Sequence, residues 1–359
     1  MTTSPFDEDR PPEPPRRRRR DRPGGHRRRP DPHSMVPEAE FTSYYGRPVL
    51  HTPPWKLEIP AYLFLGGVAA GSGLLGAGAA FTGRETLRRS SRVSALVAVA
   101  LGGGALAKDL GRPERAINMM RTVKLTSPMS VGSWILAGFG TGAGIALGAE
   151  LAPAVLPARV AGTSLVRTGL AVADPAGSVL SAFFAPPLAA YTAVLLADTA
   201  APTWHEAYRE LPFVFVASAT AAACGLALVT TPVEETGPVR QLAVIGAVVD
   251  LAAAELMAHH LGPLLREPLE HGTAGRLLRG ARACTAVGAV GAGLLGRSRF
   301  AAAASGLALL AGSALTRFGI FEAGMESTKD PRYVVLPQRA RAAAQAAAGQ
   351  GVTQPGTRA

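Results

Sequence analysis

Several ionisable residues stand at helical spacing within or beside long apolar stretches. Tyr191 and Asp198 are seven residues apart, and Glu255 and His259 are four apart, so each pair shares one face of a helix. A phenol and a carboxylate on one face could bind a carbonyl headgroup and deliver a proton to it. Asp250 lies in the middle of an apolar stretch, where a carboxylate costs roughly 2.5–3.5 kcal/mol. We therefore expect proton transfer at Asp198, Asp250, Glu255 and His259.

Structural explanations compete with this chemistry. Tyr191 also suits an aromatic residue at the membrane interface or a hydrogen bond between helices. Asp198 also suits a residue that ends a helix. A purely structural explanation is weakest for Asp250, because a carboxylate at that depth in the membrane costs free energy and would be retained only for a function.

The elements that would position these residues are apolar stretches. Of 359 residues, 48% are hydrophobic and 18% are charged, whereas soluble proteins average about 25% charged. About 20 apolar residues cross a bilayer core as a helix. The pattern predicts an all-α integral membrane protein and excludes a soluble globular domain. Its eight predicted transmembrane helices contain residues 60–81, 93–107, 129–149, 175–197, 211–233, 239–261, 283–296 and 300–316.

The two ends of the chain are polar. Residues 1–53 are rich in Pro and Arg, with basic runs at 16–20 and 27–29, and their composition predicts a disordered basic arm. This arm could attract anionic membrane lipids or simply be solvated. The transmembrane domain is then residues 54–325, followed by a polar C-terminal tail over 326–359.

Eight crossings place both termini on one face of the membrane, which we call side A; the opposite face is side B. Lys and Arg are almost equally numerous in the connections of the two faces, but both tails add basic residues to side A. The positive-inside rule then predicts cytoplasmic termini in a bacterial cytoplasmic membrane. Ionisable residues near helix ends also concentrate at side A, whereas at side B only Glu150 comes close to a helix end. This asymmetry predicts a cavity that opens on side A.

The connection between the second and third predicted helices carries the most distinctive motif, over residues 108–115, 118–121 and 126–134. Ser127 followed by Pro128 is typical of a helix N-cap with proline at the first helical position. Basic side chains make this loop suitable for docking an acidic partner protein. They are Arg112, Arg115, Arg121 and Lys124.

Three segments resemble the membrane-anchor subunits of the NrfD and polysulfide reductase (PsrC-like) type. They are Trp55-x3-Ile59-Pro60-x-Tyr62-x-Phe64-Leu65-Gly66-Gly67, the loop 109–113, and Ser127-Pro128-Met129-Ser130-x-Gly132-Ser133-Trp134. The resemblance covers roughly residues 47–136 closely and extends more weakly to about 325. It implies eight helices in two four-helix bundles.

The resemblance also implies a function. Such subunits carry electrons between a membrane quinone (menaquinone or ubiquinone) and an iron–sulfur, ferredoxin-like subunit that is connected to a molybdopterin catalytic subunit. The chain would hold no metal and no tightly bound cofactor, and its two cysteines are too few for an iron–sulfur cluster. Membrane lipids are further expected partners, and nucleic acid is not.

In this family the quinone pocket is lined from the first and fourth helices, and Tyr191 matches the position of its tyrosine. The other candidate quinone contacts are His51, Glu58, Tyr62, Lys108 and Asp109.

Two other functional classes fit parts of the sequence. A haem b cytochrome subunit needs axial histidines on facing helices, but His259 and His260 are adjacent on one helix and diverge by about 100°. A proton-coupled secondary transporter could use Asp250 as its coupling carboxylate, although no internal repeat is evident. The chain could also be a purely structural anchor.

Overall fold

The computed structural model describes residues 49–111 and 116–347. Two predictions concern residues outside the described part of the chain. They are the disordered arm up to residue 48 and the docking residues Arg112 and Arg115. Every regular element in the described part is a helix. The helices are α1 (Glu58–Phe81), α2 (Glu85–Asp109), α3 (Ala116–Met119), α4 (Pro128–Val155), α5 (Ala158–Ala161), α6 (Ser164–Ala197), α7 (Pro202–Glu206), α8 (Leu211–Thr230), α9 (Gly237–His260), α10 (Gly262–Glu270), α11 (Gly272–Leu294), α12 (Arg299–Ser327) and α13 (Arg332–Ala347).

The long helices account for the eight predicted transmembrane segments. Seven of them in the described chain are long and apolar enough to cross a membrane: α1, α2, α4, α6, α8, α9 and α12. The eighth, α11, is 23 residues long, but Arg276, Arg279 and Arg282 make its first half more polar. The chain is therefore a multi-pass membrane protein.

The long helices form two four-helix bundles, as predicted. Helices α1, α2, α4 and α6 pack together as the first bundle, and α8, α9, α11 and α12 form the second. The bundles meet mainly where α1 lies against α8. A Cβ at Gly71 of α1 would clash with Ala223 of α8, so glycine permits the close approach that holds membrane helices together.

Two helices begin earlier than hydropathy alone predicts. Helix α2 starts at Glu85 rather than near residue 93, and α6 starts at Ser164 rather than near 175. The added turns contain Arg88, Arg92 and Asp174, which find partners inside the first bundle. At the other end of the chain, α12 continues to Ser327, and part of the predicted polar tail forms α13, which packs against α7 on side A.

Candidate functional site

Two tyrosines meet in the first bundle, about 6 to 10 Å inside the side A helix ends. The hydroxyl oxygens of Tyr62 on α1 and Tyr191 on α6 are 2.7 Å apart, and either can donate the hydrogen bond. Tyr62 is completely buried, and Tyr191 is half-buried. Two phenols carry two protons, and one of these forms the bond. The other has no acceptor among the described residues, so the pair can donate to a ligand.

All four helices of the first bundle position this pair. Gly132 of α4 lies against the ring of Tyr191, and a Cβ at that position would overlap the ring. Gly102 of α2 faces Tyr62, where a Cβ would lie 3.5 Å from its ring. Position 132, in the motif Ser130-x-Gly132-Ser133, therefore requires glycine, because the Tyr191 ring occupies the space that a side chain would fill.

An ion pair lies between the tyrosines and the side A surface. Lys108 Nζ of α2 is 2.9 Å from Glu58 Oε1 of α1. Glu58 is one helical turn before Tyr62, about 6 Å along the axis. Asp109 is half-buried and close enough to Glu58 for their charges to interact. Three of the predicted contacts therefore form a charged rim above the tyrosine pair.

The motif serines shape the loop that precedes α4. The Ser127 hydroxyl accepts a hydrogen bond from the Ser130 backbone N–H, which confirms the predicted N-cap. The Ser130 hydroxyl donates to the carbonyl of Thr122 at 3.2 Å and accepts from the backbone N–H of Lys124 at 3.0 Å. The loop therefore presents the exposed side chains of Arg121 and Lys124 on side A.

His51 lies in a segment attached to the second bundle. Its side chain is exposed. The Thr328 hydroxyl beyond α12 donates to the hydroxyl of Thr52 at 3.0 Å, and Trp55 stacks on Trp204 with ring centroids 5.9 Å apart. No contact of the described residues links His51 to the tyrosine pair.

Asp198 is exposed at the C-terminal end of α6. It lines a cavity of about 440 Å³ on side A, together with His205, Tyr333 and Arg341. Burial raises the pKa of the Tyr333 hydroxyl to about 12, so this group remains a hydrogen-bond donor at neutral pH. The cavity lies between α7 and α13, at the surface rather than beside the tyrosines.

Asp250 is buried in the second bundle, with 4% of its surface exposed. Its Oδ1 has no hydrogen-bond partner, and the residue lines a cavity of about 30 Å³ with Thr285 and Thr316. Arg317, which is fully buried nearby, donates to the carbonyl of Phe215 at 2.6 Å while its Nε and Nη1 have no partner. Unpartnered polar atoms beside a water-sized space suit an ordered water.

Glu255 and His259 share one face of α9, as their spacing predicts, and both are exposed. Glu255 lies 3.9 Å from both Arg266 and Arg282. These contacts lie on the exposed surface, whereas Asp250 points into the core. The structure therefore does not join this pair to Asp250.

A buried charge cluster near side B was missed by the sequence analysis. Arg92 Nη1 of α2 lies 2.9 Å from Glu150 Oε2 of α4 and 2.5 Å from Asp174 Oδ1 of α6, and Arg92 Nη2 donates to the Ser178 hydroxyl at 2.8 Å. The expectation that only Glu150 approaches a helix end there was wrong, because α2 and α6 extend into the segments assigned as connections. The sequence does contain one signal that could have revealed this cluster: Arg88 and Arg92 are four residues apart and therefore share one face of a helix.

An apolar layer separates this cluster from the tyrosine pair. Residues 63–71 of α1, 95–107 of α2 and 182–190 of α6 contain no polar side chain. On α4, Phe139 is completely buried at this level, and Thr141 is exposed. Ten helical residues correspond to about 15 Å. In the described part of the first bundle, charged side chains therefore lie between the tyrosines and side A, whereas an apolar layer lies between the tyrosines and side B.

The described histidines do not form a haem site. All five are exposed: His51, His205, His259, His260 and His271. A buried pair on facing helices, which bis-histidine haem ligation requires, is therefore absent from the described chain.

Comparison with known families identifies the family of this chain. None of the curated proteins matches the sequence significantly. The family model described as "Polysulphide reductase, NrfD" matches residues 49–260, more than half of the chain. The matched region contains both tyrosines and the Glu58–Lys108 ion pair. The chain belongs to the NrfD polysulphide reductase family.

Proposed function

We propose that this chain is the quinone-reactive membrane subunit of an oxidoreductase. Its family implies a membrane subunit of a polysulfide- or quinone-linked enzyme. The observation that carries the proposal is the Tyr62–Tyr191 pair, which keeps one O–H donor free within a membrane domain. A quinone carbonyl is a hydrogen-bond acceptor that reaches proteins from the lipid, and the half-buried Tyr191 is the accessible member of the pair.

In the proposed reaction, Tyr191 donates its hydrogen bond to a menaquinone or ubiquinone carbonyl, while Tyr62 donates to Tyr191. This fixed donor stabilises the negative charge that develops on the carbonyl oxygen as electrons arrive. Complete reduction of the quinone to the quinol consumes two electrons and two protons. The same contacts serve quinol oxidation in the opposite direction.

We assign the proton route to side A. Glu58, Lys108 and Asp109 lie between the tyrosines and that surface, and the apolar layer lies between the tyrosines and side B. Asp198 would take part only as a group at the side A surface. Asp250 is a separate protonatable group of the second bundle, and the exposed Glu255 and His259 would exchange protons with solution.

The proposed electron partner is a ferredoxin-like iron–sulfur subunit, connected to a molybdopterin catalytic subunit. The exposed Arg121 and Lys124, beside the exposed Lys108, supply basic charge for an acidic partner at the side A rim. The sequence has two cysteines, so clusters would belong to the partner. Co-purification of an iron–sulfur protein tests this assignment directly.

We propose cytoplasmic termini on the basis of the basic tails. A reporter enzyme fused after residue 359 tests this orientation. Activity of the reporter inside the cell supports the assignment, and external activity contradicts it.

The decisive experiment is Tyr191→Phe in the intact complex. Loss of a donor to developing charge costs roughly 100-fold in turnover, so quinone reduction should fall by about that factor while the complex still assembles. Tyr208→Phe is the matched control, because Tyr208 is an exposed tyrosine outside the bundle core. Unchanged turnover in Tyr191→Phe would falsify the assignment of this tyrosine.

A proton-coupled transporter is the second candidate, supported by the buried, incompletely paired Asp250. Asp250→Asn distinguishes the two functions. For a quinone-reactive subunit, Asp250→Asn should lower quinone turnover less than Tyr191→Phe does. For a transporter, proton-coupled uptake would depend on Asp250 and would be insensitive to Tyr191→Phe.

A further inference from the structure

A groove runs along the outside of the second bundle at side B. It lies between α9 and α11, and its volume is about 770 Å³. Its polar end is formed by Arg240 and Arg297, and its apolar wall includes Val244, Ile245 and Leu294.

The two arginines have no carboxylate partner among the described residues. Two other arginines at side B are paired: Arg92 with Glu150, and Arg299 with the carbonyl of Leu228 at 2.8 Å. By contrast, the buried Nε of Arg240 has no hydrogen-bond partner. Two guanidinium groups at one end of a groove therefore remain available for an anion.

The position of the groove indicates where that anion comes from. Arg240 is in the first turn of α9, and Arg297 follows the last turn of α11, so both lie at the level of the side B membrane interface. The apolar wall continues from them toward the membrane centre, and 58% of Ile245 and 78% of Leu294 are exposed. A ligand with a negative headgroup and a long apolar chain complements both parts.

We propose that this groove binds an anionic phospholipid. The guanidinium groups of Arg240 and Arg297 hold the phosphate, because guanidinium donors match phosphate oxygens in charge and geometry. One acyl chain lies along Val244, Ile245 and Leu294. The site is independent of the quinone chemistry assigned to the first bundle.

The test measures lipid binding to the full-length protein after delipidation in neutral detergent. Dioleoyl-phosphatidylglycerol is titrated, and retained lipid is counted by native mass spectrometry. Removing two interfacial charges should weaken binding roughly 10- to 30-fold in Arg240→Gln/Arg297→Gln. The matched control is Arg159→Gln/Arg167→Gln, which removes two exposed charges from side B in the first bundle and should bind as the wild type does. The single variant Arg297→Gln, at an exposed loop position, should weaken binding as well and replaces the double variant if that fails to fold.

Three comparisons separate a phospholipid site from weaker explanations. Dioleoyl-phosphatidylcholine, which has no net charge, should bind at least tenfold more weakly than dioleoyl-phosphatidylglycerol. Dihexanoyl-phosphatidylglycerol and inorganic phosphate should also bind much more weakly, because neither fills the apolar wall. Equal binding by any of these three probes, or equal loss in the control variant, overturns the proposal.

Discussion

The first bundle contains two polar clusters that differ in charge: one is a neutral pair of phenols, and the other joins an arginine to two carboxylates. Near side A, Tyr62 and Tyr191 share one hydrogen bond and keep a donor free. Near side B, the Arg92 guanidinium contacts two carboxylates and a hydroxyl through its Nη atoms, and its buried Nε has no hydrogen-bond partner. Both clusters join α2, α4 and α6, and both are largely buried. The tyrosine pair is suited to a transient ligand, whereas the arginine cluster is suited to holding helices together.

The difference follows from the cost of burying charge. A buried guanidinium must be neutralised by close carboxylates, and a cluster that satisfies this requirement is costly to disturb. A phenol is neutral at ordinary pH, so the tyrosine pair can leave a donor unpaired at a smaller cost. Substitutions at Arg92 should therefore affect folding, and substitutions around the tyrosines should affect turnover.

The largest effect is expected for Arg92→Gln. Glu150, whose side chain is 4% exposed, would then lose its most buried cationic partner inside the bundle, which costs about 3–5 kcal/mol. Thermal unfolding of the detergent-solubilised protein should show a large loss of stability, or no folded protein at all. Arg89→Gln is the control, because the Arg89 side chain is 63% exposed. If both variants melt like the wild type, the cluster is not a structural anchor.

Gly132→Ala should affect turnover rather than folding. A methyl group at this position displaces the Tyr191 ring, and a shift of about 1 Å at a reacting group can lower the rate roughly 100-fold. The measurement is quinone turnover per assembled complex. Gly140→Ala on the same helix is the matched control, because a Cβ there meets nothing within 4 Å. Equal turnover of the two variants would mean that the position of Tyr191 is unimportant.

Tyr62→Phe should have a smaller effect than Tyr191→Phe. It removes the hydrogen bond that orients the Tyr191 hydroxyl but leaves that hydroxyl in place. The loss of one such bond corresponds to about tenfold in turnover. Separate determination of kcat and KM, with Tyr191→Phe measured in parallel, checks the order. A larger loss in Tyr62→Phe would identify Tyr62 as the quinone contact instead.

The smallest effect concerns the start of α2, the helix that carries Arg92. The Glu235 carboxylate accepts hydrogen bonds from the backbone N–H groups of Leu87 at 2.9 Å and Thr86 at 3.4 Å. The Leu87 hydrogen bond, followed by those of Thr86, lowers the pKa of Glu235 below its ordinary 4.5. Its stabilisation is therefore complete above about pH 4.5 and is lost as the pH falls through the lower folded-state value.

Glu235→Gln should lower the unfolding free energy by about 1 kcal/mol at neutral pH, as loss of a helix cap does. As the pH falls through the lowered folded-state pKa of Glu235, the variant and the wild type should converge. Melting temperatures measured from pH 7 to pH 3 test this, with Glu234→Gln in the same loop as the control. If the difference in melting temperature between Glu235→Gln and the wild type is constant across that range, the ionised Glu235 carboxylate does not stabilise the start of α2.

The sequence predicts the membrane helices well because their apolar length is a local property. The N-cap at Ser127 is likewise local and is confirmed. The bundle arrangement and the candidacy of Tyr62 came from resemblance, and the structure adds their 2.7 Å contact. Quinone binding at this contact remains a proposal.

The Arg92 cluster escaped prediction because its members come from three helices. Hydropathy ends a predicted helix where charges begin, so Arg92 and Asp174 were placed in connections. The burial of Arg92 depends on finding opposite charges across the bundle, and single-sequence hydropathy does not contain that pairing. The packing of Gly132 against Tyr191 depends similarly on two distant segments.

The apolar layer of the first bundle has an electrical consequence. It places about 15 Å without polar side chains between the two clusters. Under the proposed function, in which the electron partner docks at side A, protons and electrons would enter from the same face and quinone reduction would move no net charge across the bilayer. A contribution of this subunit to the membrane potential would therefore have to arise in the second bundle, where Asp250 and Arg317 are buried without complete pairing.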